Sequence, residues 1–208
     1  KAMKIEKFSL GILGANCYLL INEETKDTVV VDPGGHSKKF TAYIEEEKLN
    51  LVAILLTHGH FDHIGAVDYL YEHYHCPIYL HQDDLEMLDN PQLNLSVYEN
   101  PFTVKAPVQS SHEEMKFGDF DVQWLHLPGH CPGSSMIYLK DENIIFSGDV
   151  LFKGSIGRFD FPNSSKYETI ESINKIKEYD FDAVIYPGHG PNSTLSEERL
   201  NNPYLKKS

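Results

Sequence analysis

The stretch Thr57-His58-Gly59-His60-Phe61-Asp62-His63 packs three imidazoles and a carboxylate into residues 58 to 63. Neutral imidazole and carboxylate are ligands for zinc and comparable first-row divalent ions. One loop cannot wrap all four side chains around a single ion. Alternate residues His58 and His60 share a direction, whereas Asp62 and His63 turn toward a second ion, so the stretch predicts two half-built metal sites.

The missing ligands are sought outward along the chain. Leu51-Leu56, an apolar run, leads straight into the histidine stretch, and Ile64-Tyr74 reads as a helix behind it. Four other apolar, strand-like runs end the same way. Val29-Val31 ends in Asp32, Val122-Leu127 in Pro128-Gly129-His130, Ile144-Phe146 in Ser147-Gly148-Asp149, and Val184-Tyr186 in Pro187-Gly188-His189. If these strands run in one direction, their ends meet on one rim, where α/β architectures place ligands. Glycines before His130, Asp149 and His189 allow tight turns there. His130, Asp149 and His189 can therefore complete the two sites, and Asp149 can bridge them because a carboxylate has two oxygens. His36, His73, His75, His81, His112 and His126 read as ordinary surface histidines.

Between these runs, Lys4-Leu10 and Cys17-Ile21 read as strands joined by a turn at Gly11-Ile12-Leu13-Gly14. Ser37 caps a helix through about Lys48. Pro77-Leu80 is a short strand and Asp83-Leu88 a short helix. Residues 89 to 112 lack a period and read as a long loop of the kind that often serves as a lid. Strands follow at Phe120-Leu127, Ser135-Leu139 and Asn143-Phe146, then a helix at Lys166-Tyr179, a strand at Ala183-Tyr186 and a closing helix at Ser196-Leu200. Mixed sheets covered by helices are the expected outcome.

The H-x-H-x-D-H pattern at 58–63, followed by distant His130, Asp149 and His189, resembles the ligand set of the metallo-β-lactamase superfamily. The resemblance implies an α/β fold, a four-layer α/β/β/α sandwich of two mixed sheets flanked by helices. It implies that His58, His60 and His130 hold one metal, that Asp62, His63 and His189 hold the other, and that Asp149 bridges them. Asp32 matches the family carboxylate that orients a ligand without binding metal. The implied cofactors are two divalent ions, zinc first, with iron or manganese as the other candidates. Asp62 and Asp149 are the candidate catalytic carboxylates.

The stretch Ser147 to Asp160, together with Pro187-Gly188-His189-Gly190-Pro191, Glu197-Glu198-Arg199 and Asn202-Pro203-Tyr204, is similar to the glyoxalase II branch. That likeness implies a thioesterase that cleaves S-acyl thiols such as S-lactoylglutathione through a hydroxide shared by two ions. A thiolate leaves with little help from a general acid, its reference pKa being near 8.5, and no G-x-S-x-G elbow offers a rival nucleophile. Arg158 is the candidate contact for a substrate carboxylate, and Phe159 the candidate wall of the acyl or thiol pocket. The helical C-terminal domain that full-length glyoxalase II enzymes use to bind glutathione has no counterpart in these 208 residues. The alternatives are a mononuclear iron persulfide dioxygenase, which shares a loop like Gly157-Arg158-Phe159-Asp160-Phe161, and a lactonase or β-lactamase of the same fold.

Bulk properties agree with a small-molecule enzyme. The formal net charge of -13 disfavours nucleic acid and anionic membranes as partners. The three cysteines Cys17, Cys76 and Cys131 form no C-x-x-C pair and fit a reducing compartment, so the expected location is cytoplasmic. Cys131, beside a proposed ligand, reads as an inert small residue or as a thiol that tunes the metals. The length predicts a single domain over 1–208.

Overall fold

Alternate residues of the apolar strands belong to different cores, and this alternation builds the layers. The structure, a computed structural model, describes residues 2–207. Its first sheet holds β1 (Met3–Leu10), β2 (Ala15–Asn22), β3 (Asp27–Val31), β4 (Asn50–Leu55), β5 (Ile78–Leu80) and β6 (Val108–Ser110), paired in that order. β1 to β3 are antiparallel, and β3 to β6 are parallel. The second sheet runs from β7 (Glu114–Phe117) through β8 (Phe120–His126), β9 (Ser135–Leu139), β10 (Ile144–Gly148) and β13 (Val184–Pro187) to β14 (Ser193–Thr194). A small hairpin of β11 (Leu151–Phe152) and β12 (Ser155–Ile156) stands apart. The helices are α1 (Lys38–Glu46), α2 (Phe61–Ile64), α3 (Val67–Tyr74), α4 (Lys166–Lys177) and α5 (Leu195–Asn201).

Successive strand residues point to opposite faces of a sheet. In β2, Leu19 and Ile21 pack with Phe40 and Ile44 of α1 and Val67 and Leu70 of α3. Their neighbours Tyr18 and Leu20 pack with Phe120, Ile137 and Phe146 of the second sheet. In β9 and β10, Ile137, Leu139 and Phe146 face that central layer, whereas Met136, Tyr138 and Ile145 pack with Ile176 of α4 and Leu195 of α5. The result is an α/β/β/α sandwich of two mixed sheets. Each fully buried Leu, Ile or Phe contributes about 1.5–3 kcal/mol.

Strand direction makes the rim. β3 and β4 are parallel, β13 is parallel to β10, and β8 shares their sense because both β8 and β10 pair antiparallel to β9. Asp32, the 57–63 stretch, His130, Asp149 and His189 all follow carboxyl ends of such strands.

The structure departs from several sequence readings. The helix expected over Ile64-Tyr74 is two helices, α2 and α3, broken at Gly65 and Ala66. The cause is tertiary: the Ala66 N–H donates to Pro33 O at 2.9 Å, so the chain bends around the turn after Asp32. Asp83-Leu88 belongs to a 3-10 segment, Gln82–Asp89. The loop at 89 to 112 contains a short 3-10 turn, Ser96–Tyr98, and strand β6. Three-residue β6 and two-residue β11, β12 and β14 are too short for any periodicity to show. β7 is not among the strands expected from the sequence, although Met115 and Phe117 pack inward and alternate with exposed Glu114 and Lys116.

Candidate metal centre

The rim gathers the seven side chains into two adjoining groups. His58, His60 and His130, with Cys131, offer ligand atoms within 4.8 Å of one another, and Asp62, His63, Asp149 and His189 do the same. His60 Nδ1 lies 3.1 Å from His130 Nε2. Asp149 Oδ2 lies 3.6 Å from His58 Nε2, 3.4 Å from His130 Nε2 and 3.6 Å from His189 Nε2. Its other oxygen, Oδ1, is 3.3 Å from His63 Nε2. Asp62 Oδ2 is 3.1 Å from His189 Nε2 and 3.5 Å from His63 Nε2. The Asp149 carboxylate thus stands between the two groups.

The donor set fits metal ions. Among the described residues, His58 Nε2, His63 Nε2 and Asp149 Oδ1 are buried without a well-aligned hydrogen bond, the last two facing each other at ion-pair distance. An unsatisfied buried polar atom costs roughly 1–3 kcal/mol, and here three of them converge. Ligand bonds of about 2.1 Å at a tetrahedral ion place donor atoms roughly 3.4 Å apart, and the spacings above bracket that value.

Charge divides the groups. Burial pushes His60 down to about 3 and His58 well below the usual imidazole range, which favours the neutral form that binds metal. Burial would also lower His63, but the carboxylates of Asp149, Asp62 and Asp32 outweigh it and hold its pKa well above the usual value. His189 is raised by its hydrogen bond to Asp62.

Hydrogen bonds fix the ligands. Asp32, in a left-handed conformation with φ of 53°, turns its carboxylate under the site. Its Oδ2 bonds His63 Nδ1 at 2.9 Å and accepts from Thr57 Oγ1 at 2.6 Å, and Thr57 Oγ1 is 3.0 Å from His58 Nδ1. His130 Nδ1 donates to Arg158 O at 2.7 Å. The loop carrying His189 is pinned from β2, where Tyr18 Oη donates to Pro187 O at 2.6 Å and Asn16 Nδ2 to Pro187 O and Gly190 O at 3.0 and 3.1 Å. Two glycines permit the close approach. Gly148 has a φ of +53°, and a Cβ at Gly188 would sit 2.5 Å from Asp149 Oδ1. Cys131 is fully buried, with Sγ 3.3 Å from His60 Nε2.

A cleft of about 410 Å³ opens onto both groups. Its walls are largely apolar: Leu13, Phe61, Leu95, Tyr98, Phe152 and Phe161. Arg158 lines it, but its guanidinium forks around Asp160 at 2.9 and 3.0 Å and lies 4.5 Å over the Phe161 ring. Phe159 is not among the lining residues, and Phe161 holds that place. The preceding hairpin is braced from α5, since Asn202 Nδ2 donates to Phe152 O and Ser155 O, and Glu198 Oε1 accepts from Gly154 N.

Sequence reasoning missed Thr57 Oγ1, Asn16, Tyr18 and Phe161. Polar Asn16 within a run of buried apolar residues was the available signal for the β2 pins. His81 and His126 also depart from the expectation of lone surface histidines, since both are half-buried. Their rings stack at 3.8 Å with 14° between planes, beside Asp83. Near-parallel rings do not aim their lone pairs at one point. Besides, His81 Nδ1 accepts from Asp83 N, and His126 Nε2 donates to Pro132 O. The pair is a contact between the two sheets rather than a metal cage. It borders a polar recess of about 580 Å³ that contains none of the seven rim residues.

Comparison with known proteins gives a consistent picture. A model of the metallo-beta-lactamase superfamily matches residues 10–189. The chain is 38% identical to the probable metallo-hydrolase YqgX of Bacillus subtilis and 34% identical to the hydroxyacylglutathione hydrolase GloC of Haemophilus influenzae, across 98% of both chains in each case. The crystal structure of the BLEG-1 B3 metallo-beta-lactamase is similar with a TM-score of 0.91 and 37% identity, covering 98% of this chain and 100% of that one.

Proposed function

We propose that this chain, which belongs to the metallo-beta-lactamase superfamily, is a metal-dependent hydrolase of acyl-thiol esters such as S-lactoylglutathione. The observation that carries the reading is the Asp149 carboxylate standing between two groups of convergent, partly orphaned ligand atoms. His58, His60 and His130 would hold one divalent ion, zinc or another first-row metal that accepts imidazole and carboxylate donors. Asp62, His63 and His189 would hold the other, with the Asp149 carboxylate standing between the two groups. When bound, such ions would lower the pKa of a water toward neutrality and polarise a carbonyl.

The chain's own residues do the rest. Asp62, whose Oδ2 already accepts from His189, orients the attacking water by accepting its hydrogen bond. The apolar walls of the cleft hold the acyl-thiol and exclude bulk water. Arg158 takes a substrate carboxylate in competition with Asp160. The thiolate leaves unaided, with a reference pKa near 8.5. The 34% identity to a hydroxyacylglutathione hydrolase supports the thioester as the bond cleaved.

A β-lactam is the second substrate class, favoured by the similarity to BLEG-1. Assaying the zinc-loaded chain against S-lactoylglutathione, simple acyl thioesters and a chromogenic cephalosporin decides between them. The expected result is a higher kcat/KM for a thioester. Turnover of the cephalosporin alone, or oxygen uptake with a persulfide in place of hydrolysis, would overturn the proposal.

A further inference from the structure

Four aspartates of the described chain are buried: Asp32, Asp62, Asp84 and Asp149. Three of them touch imidazoles of the rim. Asp84 does something else. It sits in the 3-10 segment Gln82–Asp89 after β5 with no exposed surface. Its Oδ2 accepts from Gly59 N at 3.0 Å, and its Oδ1 accepts from Gly133 N at 2.6 Å. Gly59 lies between His58 and His60. Gly133 closes the loop that carries His130 and Cys131. The two donors lie on loops that follow strands of different sheets, and nothing in the proposed chemistry uses the carboxylate. Burial pushes its pKa up to about 7, and the two backbone N–H donors partly offset the cost of keeping the carboxyl group there.

We propose that Asp84 is a positioning residue that clamps the two loops bearing His58, His60 and His130, and so sets the affinity of that ion alone. The selectivity follows from connectivity. The Asp84 carboxylate bonds Gly59, between two ligands of the first group, and Gly133, on the loop of the third, whereas Asp62 and His63, later in the 57–63 stretch, are held by α2 and Asp32, and His189 by the β2 pins. The segment is latched at two further points near the same loops. His81 stacks on His126 at the end of β8, and Met87 packs where a Cβ on Gly59 would fall. Two N–H donors converging on one carboxylate require both oxygens as acceptors. Asn in its place presents an amide N–H₂ to one of them, which loses one bond and opposes two donors.

This inference rests on the two-ion reading, and the test separates the two. Metal-free chain is titrated with zinc against a chromophoric chelator. His60→Ala and His189→Ala controls identify which ion is which. In Asp84→Asn, the ion assigned to His58, His60 and His130 weakens about 10- to 100-fold, the usual range for residues that orient ligands, and the other ion keeps its affinity. Gly133→Ala, whose Cβ would meet the Asp84 carboxyl carbon at 2.8 Å, shows the same one-sided loss and decides the matter if Asp84→Asn does not fold. A purely structural role would lower the melting temperature of the metal-free chain and leave the ratio of the two zinc affinities unchanged. That result, or equal weakening of both ions, overturns the clamp. If the unaltered chain binds one zinc only, the two-ion reading fails, and the clamp stands or falls on whether Asp84→Asn weakens an ion that His60→Ala also removes.

Discussion

The rim and the mouth of the cleft are built on opposite principles. On the rim, six of the seven ligand-type side chains are buried, and His189 is the half-buried seventh. Bonds to Asp32, Thr57 and Arg158 O fix the orientation of His63, His58 and His130. At the mouth, Leu13 and Tyr98 are 54% and 77% exposed, and Arg158 reaches solvent with Asp160 as its partner. Rigid donors fix the reaction class, and an exposed apolar mouth leaves the choice of substrate open. Damage to the rim should therefore abolish turnover, whereas changes at the mouth should alter which substrate is preferred.

The largest effect is expected from the ligands themselves. His60→Ala and Asp149→Ala should each lower kcat/KM by at least about 10³-fold, because each removes a group needed for transition-state charge. Substantial activity in either variant would place the chemistry elsewhere. Next comes Asp32→Asn. Asp32 serves His63 directly and His58 through Thr57, so its loss should weaken zinc binding about 10- to 100-fold. Unlike a change at Asp84, it should affect both ions, and retention measured against a graded chelator series checks this.

The mouth should give smaller changes, confined to KM. Phe161→Ala and Arg158→Ala should raise KM several-fold with kcat nearly constant, the signature of uniform binding. Asp160→Ala, by freeing the Arg158 guanidinium, should lower KM for a substrate carrying a carboxylate. A fall in kcat with unchanged KM would erase the division between rim and mouth. The smallest effect is a proton count. The neighbouring carboxylates raise His63 and His189 above the usual imidazole value in the metal-free chain, while burial lowers His58 and His60 below it. Zinc entering the Asp62, His63 and His189 group should release protons, and zinc entering the other should release few. Calorimetry in buffers of different ionisation enthalpy reads the difference.

The same contrast explains what could be read from the sequence. The strands that end at Asp32, His58, His130, Asp149 and His189 were visible because each couples an apolar run to a polar terminus, and the sandwich follows from their alternation. The division of labour at the mouth was not visible. Phe159 and Phe161 differ by two positions in one irregular loop, and only the backbone path decides which ring faces the cleft. Asp84 was equally hidden. Its partners are backbone N–H groups 25 and 49 residues away, which no side-chain pattern records. The break between α2 and α3 arises from a bond to Pro33 O rather than from local propensity.

The most direct test combines metal stoichiometry and thioester hydrolysis on one sample, stripped of metal and then titrated with zinc. The account predicts that hydrolysis is lost on stripping, returns as zinc is added and levels off at two ions per chain. Full activity in the stripped chain, or a plateau reached with no zinc held by His60 and Asp149, would contradict it.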